Sequence, residues 1–572
     1  MKKAFIRLSC ICLVIIMGLS VLASCNFGKD KGDESQQSTS DVVESENTSD
    51  VKDTETESSE VTDTEADVDT DEETEGDTDA ETNGESEKET EEESETEEEE
   101  ISEKDANLPE RVTYEGADFT IATSLTDNNI PYISYVEADN LKSDAINKAF
   151  FERNNLLKSY FGVNVVVNRY KNTGNEDVVI LNELEIATLG NTDFADAAYA
   201  IVCGGWYGMI FNGYIADMNE MGALNLDASY YDQRIQEEYN IEGKLFALEG
   251  DFTVQDEMRT MVVGINKTIY NDFHYNETYG SPYKLVDDGK WTLDLMLQMA
   301  KATGDSGTLN KDSQWGIISE SQFPYTVYLG TGNKIVEVND GSLYCTFADP
   351  AAYQNTVEVI QNCVDKILNS PDVSILIADK SPLIGGFPEA QAMFANGQAL
   401  FRTSTLYDFT KYQHMEDEFG ILPVPKYSED QAEYYSWCSS TSHCPLVVPQ
   451  VAVDQHGERT ANLIEAMAYF SKYMPSNKQS LLDAFYKNMM DSKLCRNMED
   501  RQMLELIFAH KTFDIDYALN LSATGWKITT LAGTTDYSVP SILETYKNKM
   551  DVSNPENPMN KLIEKVWANS SK

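Results

Sequence analysis

The sequence predicts a mixed α/β body behind an exported, unfolded leader. Three observations lead there. A short apolar run follows three basic residues at the N-terminus, some eighty residues are made almost entirely of Asp, Glu, Ser and Thr, and residues 109–572 alternate short β-type runs with helical apolar spacing. That last stretch is rich in Tyr, Phe, Leu, Ile and Met and is long enough to bury a large core.

The leader begins with Lys2, Lys3 and Arg7, continues through the apolar run Leu8 to Val21 and closes on Leu22-Ala23-Ser24-Cys25. The run is too short to span a bilayer comfortably and has the order of a secretory signal. Its last four residues resemble a bacterial lipobox, which implies a signal peptide over residues 1–24 and diacylation of Cys25. Two acyl chains anchor a protein stably where one is marginal. The expected location is therefore the cell membrane, lipid-anchored and facing outward.

Residues 26–107 hold 35 acidic residues against five lysines, out of a net charge of −55 for the chain. Low hydrophobicity and like-charge repulsion leave nothing to offset chain entropy, so residues 25–108 read as the acylated cysteine and a disordered spacer. From residue 108 onward there remain 63 acidic and 35 basic residues. A surface of that sign repels phosphate backbones and anionic head groups, which excludes nucleic acid and a polybasic membrane contact as partners.

Six cysteines remain beyond Cys25, namely Cys203, Cys345, Cys363, Cys438, Cys444 and Cys495, without a C-x-x-C pair. Neither a zinc knuckle nor a redox pair is indicated, and no metal or cofactor is expected. Cys438 and Cys444 are close enough in sequence to bridge a short loop, and two buried thiols fit equally well.

Within the body, Phe119 to Thr123 reads as a strand, Ser143 to Ser159 as a helix, Val163 to Val167 as a strand, Glu176 to Leu189 as a helix and Ala197 to Val202 as a buried strand. This is βαβαβ, the start of a parallel sheet. Ligands of such sheets bind beyond the carboxyl ends of the strands. Here those ends are Ser124-Leu125-Thr126 and Cys203-Gly204-Gly205-Trp206-Tyr207. Helical spacing returns near the C-terminus over Glu458 to Met474, Leu481 to Met490, Arg501 to His510 and Pro558 to Ala568.

Several segments occur in a telling order: Arg153-Asn154 with Phe161-Gly162-Val163, Gly213 to Met218, Gly264-Ile265-Asn266-Lys267, Trp291-Thr292-Leu293-Asp294, Met393 to Phe401, and Phe419 to Lys426. In that order and spacing, covering nearly the whole body, the chain resembles the bacterial extracellular solute-binding proteins of family 1, the sugar-type receptors of ABC importers. The resemblance implies a two-lobed periplasmic-binding-protein-like fold of type II with a ligand cleft between the lobes and extra C-terminal helices. It places the first lobe over Leu108 to about Asn266 plus a later return, the second over Lys267 to Pro425, and the closing motion about crossovers near Asn266. The partners it implies are a small solute, a sugar above all, and the permease subunits of an ABC transporter.

Sugars are held by aromatic faces and by planar polar side chains bonded to hydroxyls. Trp206 and Tyr207, in a glycine-rich turn at a strand end, fit that recipe, as do Tyr434, Tyr435 and Trp437 in a serine-rich stretch; a plain core role is the alternative for each group. Tyr230 and Tyr231 read as packing residues. Arg402, after Phe401, and Asp251, after Gly250, are candidates to donate to and accept from hydroxyls, with a surface ion pair as the alternative. A lipid-anchored glycoside hydrolase with paired carboxylates is the second functional expectation. No H-E-x-x-H, G-x-S-x-G or P-loop accompanies the five histidines, and the chain reads as a non-enzyme.

Overall fold

The computed structural model describes residues 105, 107–124, 145–170, 178–203, 205–475, 478–491, 494–495, 497–534 and 536–570. Cys25, the signal and nearly all of the acidic stretch lie outside the described residues, as do Leu125, Thr126 and Gly204 of the expected strand-end loops.

Two mixed sheets organise the body. In the first half of the protein, strands β1 (Asp118–Ser124), β2 (Asn164–Tyr170) and β3 (Ala197–Tyr199) run parallel with β1 in the middle. In the second half, β4 (Met261–Asn266), β5 (Trp315–Ser319), β6 (Ile375–Ile377), β7 (Ala399–Thr405) and β8 (Phe419–Leu422) form a sheet of order β6-β5-β7-β4-β8. There β4 runs antiparallel to both neighbours, while β5 is parallel to β6 and β7. The chain then returns to the first sheet as β9 (Leu446–Val447), antiparallel to β3. Every residue of β4 and β5 is buried, as expected of strands covered on both faces, and their sequences MVVGIN and WGIIS are nearly continuous apolar runs for that reason.

The expected β1-helix-β2-helix-β3 order is present, with helices Ala145–Phe161 and Val179–Gly190 between the strands. The body begins before residue 109. Asp105 is buried, and its Oδ1 accepts the Ser229 amide at 2.7 Å. Burial alone would raise its pKa, but the bonds from Ser229 and Tyr473 and the charge of Lys472 outweigh it and bring the pKa to about 2.

The crossovers also lie elsewhere than expected. Asn266 is a buried residue at the end of β4, where its side chain accepts the Ile269 amide and caps the next helix. The chain passes from the first sheet to the second over residues 246–260 and returns over residues 436–446. These two passages bridge one another at Leu248–Leu446 and Thr260–Cys438, and the Ser439 amide donates to the Arg259 carbonyl at 2.9 Å. Cys438 and Cys444 are both buried, with Cys438 Sγ 3.6 Å from Asp256 O and Cys444 Sγ 3.6 Å from Ser442 O.

After the return, helix Gln450–Lys472 and helix Leu481–Asp491 both pack on Ala145–Phe161, and Met498–Ala509 packs against β8. Lys511–Thr512 then pairs in parallel with Ser436–Trp437. Three further helices, Ile515–Leu519, Thr524–Thr529 and Val539–Lys549, precede the final helix Pro558–Ser570.

Candidate functional site

Residues 200–203 carry the chain off the end of β3 alongside the return passage: the Ala200 amide donates to Pro445 O and the Val202 amide to His443 O. Helix Trp206–Asn212 begins directly after this turn. Next to it opens a crevice of about 520 Å³, lined on one side by Cys203, Trp206 and Tyr207 and on the other by Asn520, Glu556 and Lys561 of the C-terminal segment. A cavity of about 600 Å³ opens at the other end of the same helix, by Asp217, Lys244 and Asp454, away from the strand ends. The position beyond a parallel strand's carboxyl end makes the first crevice the candidate site.

Trp206 is 1% exposed, with its ring 4.9 Å from that of Tyr239, and its indole nitrogen has no hydrogen-bond partner among the described residues. Tyr207 is half-buried, stacks on Phe211 and donates to the Pro558 carbonyl at 3.2 Å. The rim pair Glu556–Lys561 is exposed.

The other candidate residues lie elsewhere. Trp437 is fully buried, edge-on to Tyr325 at 6.1 Å and 5.1 Å from the Tyr517 ring. Tyr435 lies against Gly332 and His510, at the far end of helix Phe323–Gly330. Arg402 lies inside its strand, since β7 runs on to Thr405. It is fully buried, paired with Glu320 at 3.1 Å and Asp408 at 3.2 Å, so its fork is committed to this internal network and not to a cleft. Asp251 sits on the outgoing crossover, where burial raises its pKa to about 7 despite the opposing charges of Lys472 and Lys511. Tyr230 and Tyr231 are buried inside the first half, with their hydroxyls on Glu465.

At the crossovers lies a group of buried ionisable residues that local sequence does not single out. Lys511 Nζ bonds Asp256 and reaches Asp232 and Glu257, each at 3.2 Å. Burial alone would lower the Lys511 pKa, but the facing carboxylates raise it well above the usual lysine range. Burial and the neighbouring Asp256 push Glu257 well up, so the charge pair is Lys511 with Asp256. Alongside, His443 Nε2 lies 2.7 Å from Glu249 Oε1, both side chains fully buried. Burial lowers His443 to about 3 and raises Glu249 well above the carboxylate range, so burial favours the neutral form of each. Partners 194 and 255 residues apart leave no spacing signal in the sequence.

No family model and no curated protein matches the chain. Among the solved structures similar to it are sugar-binding and polyol-binding proteins. A cyclo/maltodextrin-binding protein complexed with maltotetraose is 13% identical at a TM-score of 0.44, over 80% of this chain and 98% of that one. The ABC substrate-binding protein Lmo0181 from Listeria monocytogenes, in complex with cycloalternan, is 14% identical at 0.43, over 80% and 99%. An ABC transporter solute-binding protein from Agrobacterium radiobacter K84, in complex with ribitol, is 13% identical at 0.44, over 76% and 98%.

Proposed function

We propose that the chain is an extracellular solute-binding lipoprotein that captures a neutral polyhydroxylated solute, a carbohydrate or oligosaccharide, and delivers it to an ABC permease without transforming it. The observation that carries this reading is the crevice beyond β3, where an aromatic wall of Trp206 and Tyr207 faces the polar Asn520, Glu556 and Lys561. Trp206 is almost wholly buried against Tyr239, so it backs this wall while the half-buried Tyr207 ring offers the face a sugar would stack on. The order of sheets supports it further, with two α/β halves joined by paired crossovers. Anchoring rests on Leu22 to Cys25, with the acidic stretch as the spacer between membrane and body.

Calorimetry of the full chain against a panel of oligosaccharides, polyols and amino acids tests the reading, with binding of at least one saccharide expected. Tyr207→Ala removes the half-buried ring that lines the crevice, so affinity should fall about fivefold, the equivalent of about 1 kcal/mol. Steady hydrolysis of a glycoside, abolished by replacing one carboxylate, would instead establish the hydrolase. Cys25→Ala should move the protein from the membrane fraction to the medium, and retention on the membrane would refute the anchor.

A further inference from the structure

The two halves are joined by far more than the two crossovers, and the joint is made largely by the chain's own C-terminal segment. We propose that residues 511–570 hold the halves in one fixed arrangement, so that a solute enters between walls already in place instead of being enclosed by a hinge motion. The fixed arrangement does not depend on which solute binds, while the manner of entry rests on the proposed binding role.

Four contacts carry the proposal. Lys511, on the short strand paired with the return crossover, ties Asp232 of the first half to Asp256 and Glu257 of the outgoing crossover. Asp514 accepts the Tyr325 hydroxyl at 2.8 Å on the second half, while the adjoining helix Ile515–Leu519 packs on helix Trp206–Asn212 of the first. Tyr517 lies 5.8 Å from Tyr325, 5.1 Å from Trp437 and 5.0 Å from Trp526, stacked on the last. The backbone of Gly525 is pressed between these rings so closely that an added Cβ would stand 2.5 Å from Tyr517 and 2.7 Å from Tyr325. Finally, helix Val539–Lys549 packs on Pro350–Leu368 of the second half, and Pro558–Ser570 packs on Trp206–Asn212 of the first.

The space over Tyr325, beyond the carboxyl end of β5, is therefore filled by the chain itself. The resulting core runs without a break from Val202 and Met209 through Phe513, Ile515 and Leu519 to Tyr325. Separating the halves would expose that apolar surface and strand Lys511 from its carboxylates, so opening is opposed by burial and by charge together. On another flank the halves also touch directly, with Lys334 and Glu238 paired at 2.6 Å and the Gly243 amide donating to Gly341 O at 2.9 Å.

The test is the distance between the halves in the solute-free full-length protein. Keto-amino-acid spin labels would replace Ile186 and Phe273, exposed residues of the first and second halves, and leave the native thiols alone. A single narrow distance distribution is expected, and two populations or one broad distribution would overturn the proposal. Hydrogen exchange gives an independent reading. The Ser436 and Cys438 amides, bonded to His510 O and Thr512 O, should exchange as slowly as the β4–β7 ladder, and exchange tenfold faster or more would overturn it. Replacing both Tyr517 and Trp526 by Ala should broaden the distance distribution, and an unchanged narrow one would place the restraint elsewhere and reject the segment's role. Where that variant does not fold, exchange of the Ser436 and Cys438 amides in the wild type still reads the attachment of the segment to the return crossover, and fast exchange there rejects the segment's role.

Discussion

At the scale of single residues, burial separates aromatic side chains that look alike in sequence. Trp437 is enclosed by Tyr325 and Tyr517, so Trp437→Ala should cost about 3–5 kcal/mol of folding stability, read by denaturant titration, with solute affinity unchanged in the folded fraction. Asp251 gives a pH-dependent prediction. Its pKa is raised to about 7 in the folded protein, so it binds its proton more tightly folded than unfolded. Its contribution to stability is then fully present at low pH and is lost as pH rises from about 4 to above 7. Asp251→Asn, which is neutral throughout, should be close to wild type near pH 3 and more stable than wild type by about 1–3 kcal/mol at pH 8, as followed by thermal melts.

At the scale of elements, the outgoing crossover depends on one close approach. A Cβ at Gly250 would stand 2.1 Å from the Tyr230 carbonyl oxygen and 2.9 Å from the Tyr231 Cα. Both neighbours are backbone, so neither swings aside as a side-chain end would. Gly250 also bridges Tyr231, and the Asp251 amide donates to Tyr230 O at 2.9 Å. Gly250→Ala should therefore lower stability by about 2 kcal/mol or more and release the Asp251 amide to faster hydrogen exchange. An alanine variant with the wild-type melting temperature would show that the crossover can shift.

At the scale of the whole molecule, Lys511 joins the C-terminal segment, the first half and a crossover. Removing it leaves Asp256 buried and uncompensated, so Lys511→Met should destabilise the protein by about 3–5 kcal/mol at pH 7. Lys511 holds the folded pKa of Asp256 below its ordinary value, so the stability from this pair is present above about pH 4 and is lost as pH falls through the depressed folded value. The gap between variant and wild type should accordingly narrow towards pH 4, where Asp256 of the variant takes up a proton. A gap independent of pH would mean that Lys511 acts by packing alone.

Local periodicity was enough to place β1, β2, β3 and the helices between them, because alternation and helical spacing are recorded in neighbouring residues. The same holds for the crevice aromatics Trp206 and Tyr207, which the strand-end position of Cys203 to Tyr207 marks out. The sequence by itself therefore determined the α/β class and the order of the first elements. Only the tertiary structure decided the rest. The opposite wall comes from Asn520, Glu556 and Lys561, more than 300 residues downstream, and no local pattern announces that a distant segment will fold back. Arg402 and Trp437 show the converse: a polar or aromatic residue near a strand looks available until its partners Glu320, Asp408, Tyr325 and Tyr517 are assembled around it. Periodicity reports which face of an element is apolar, whereas pairing between remote side chains depends on the path of the whole chain. For that reason the Lys511 cluster, the Glu249–His443 pair and the true crossovers became visible only once the chain had been folded around them.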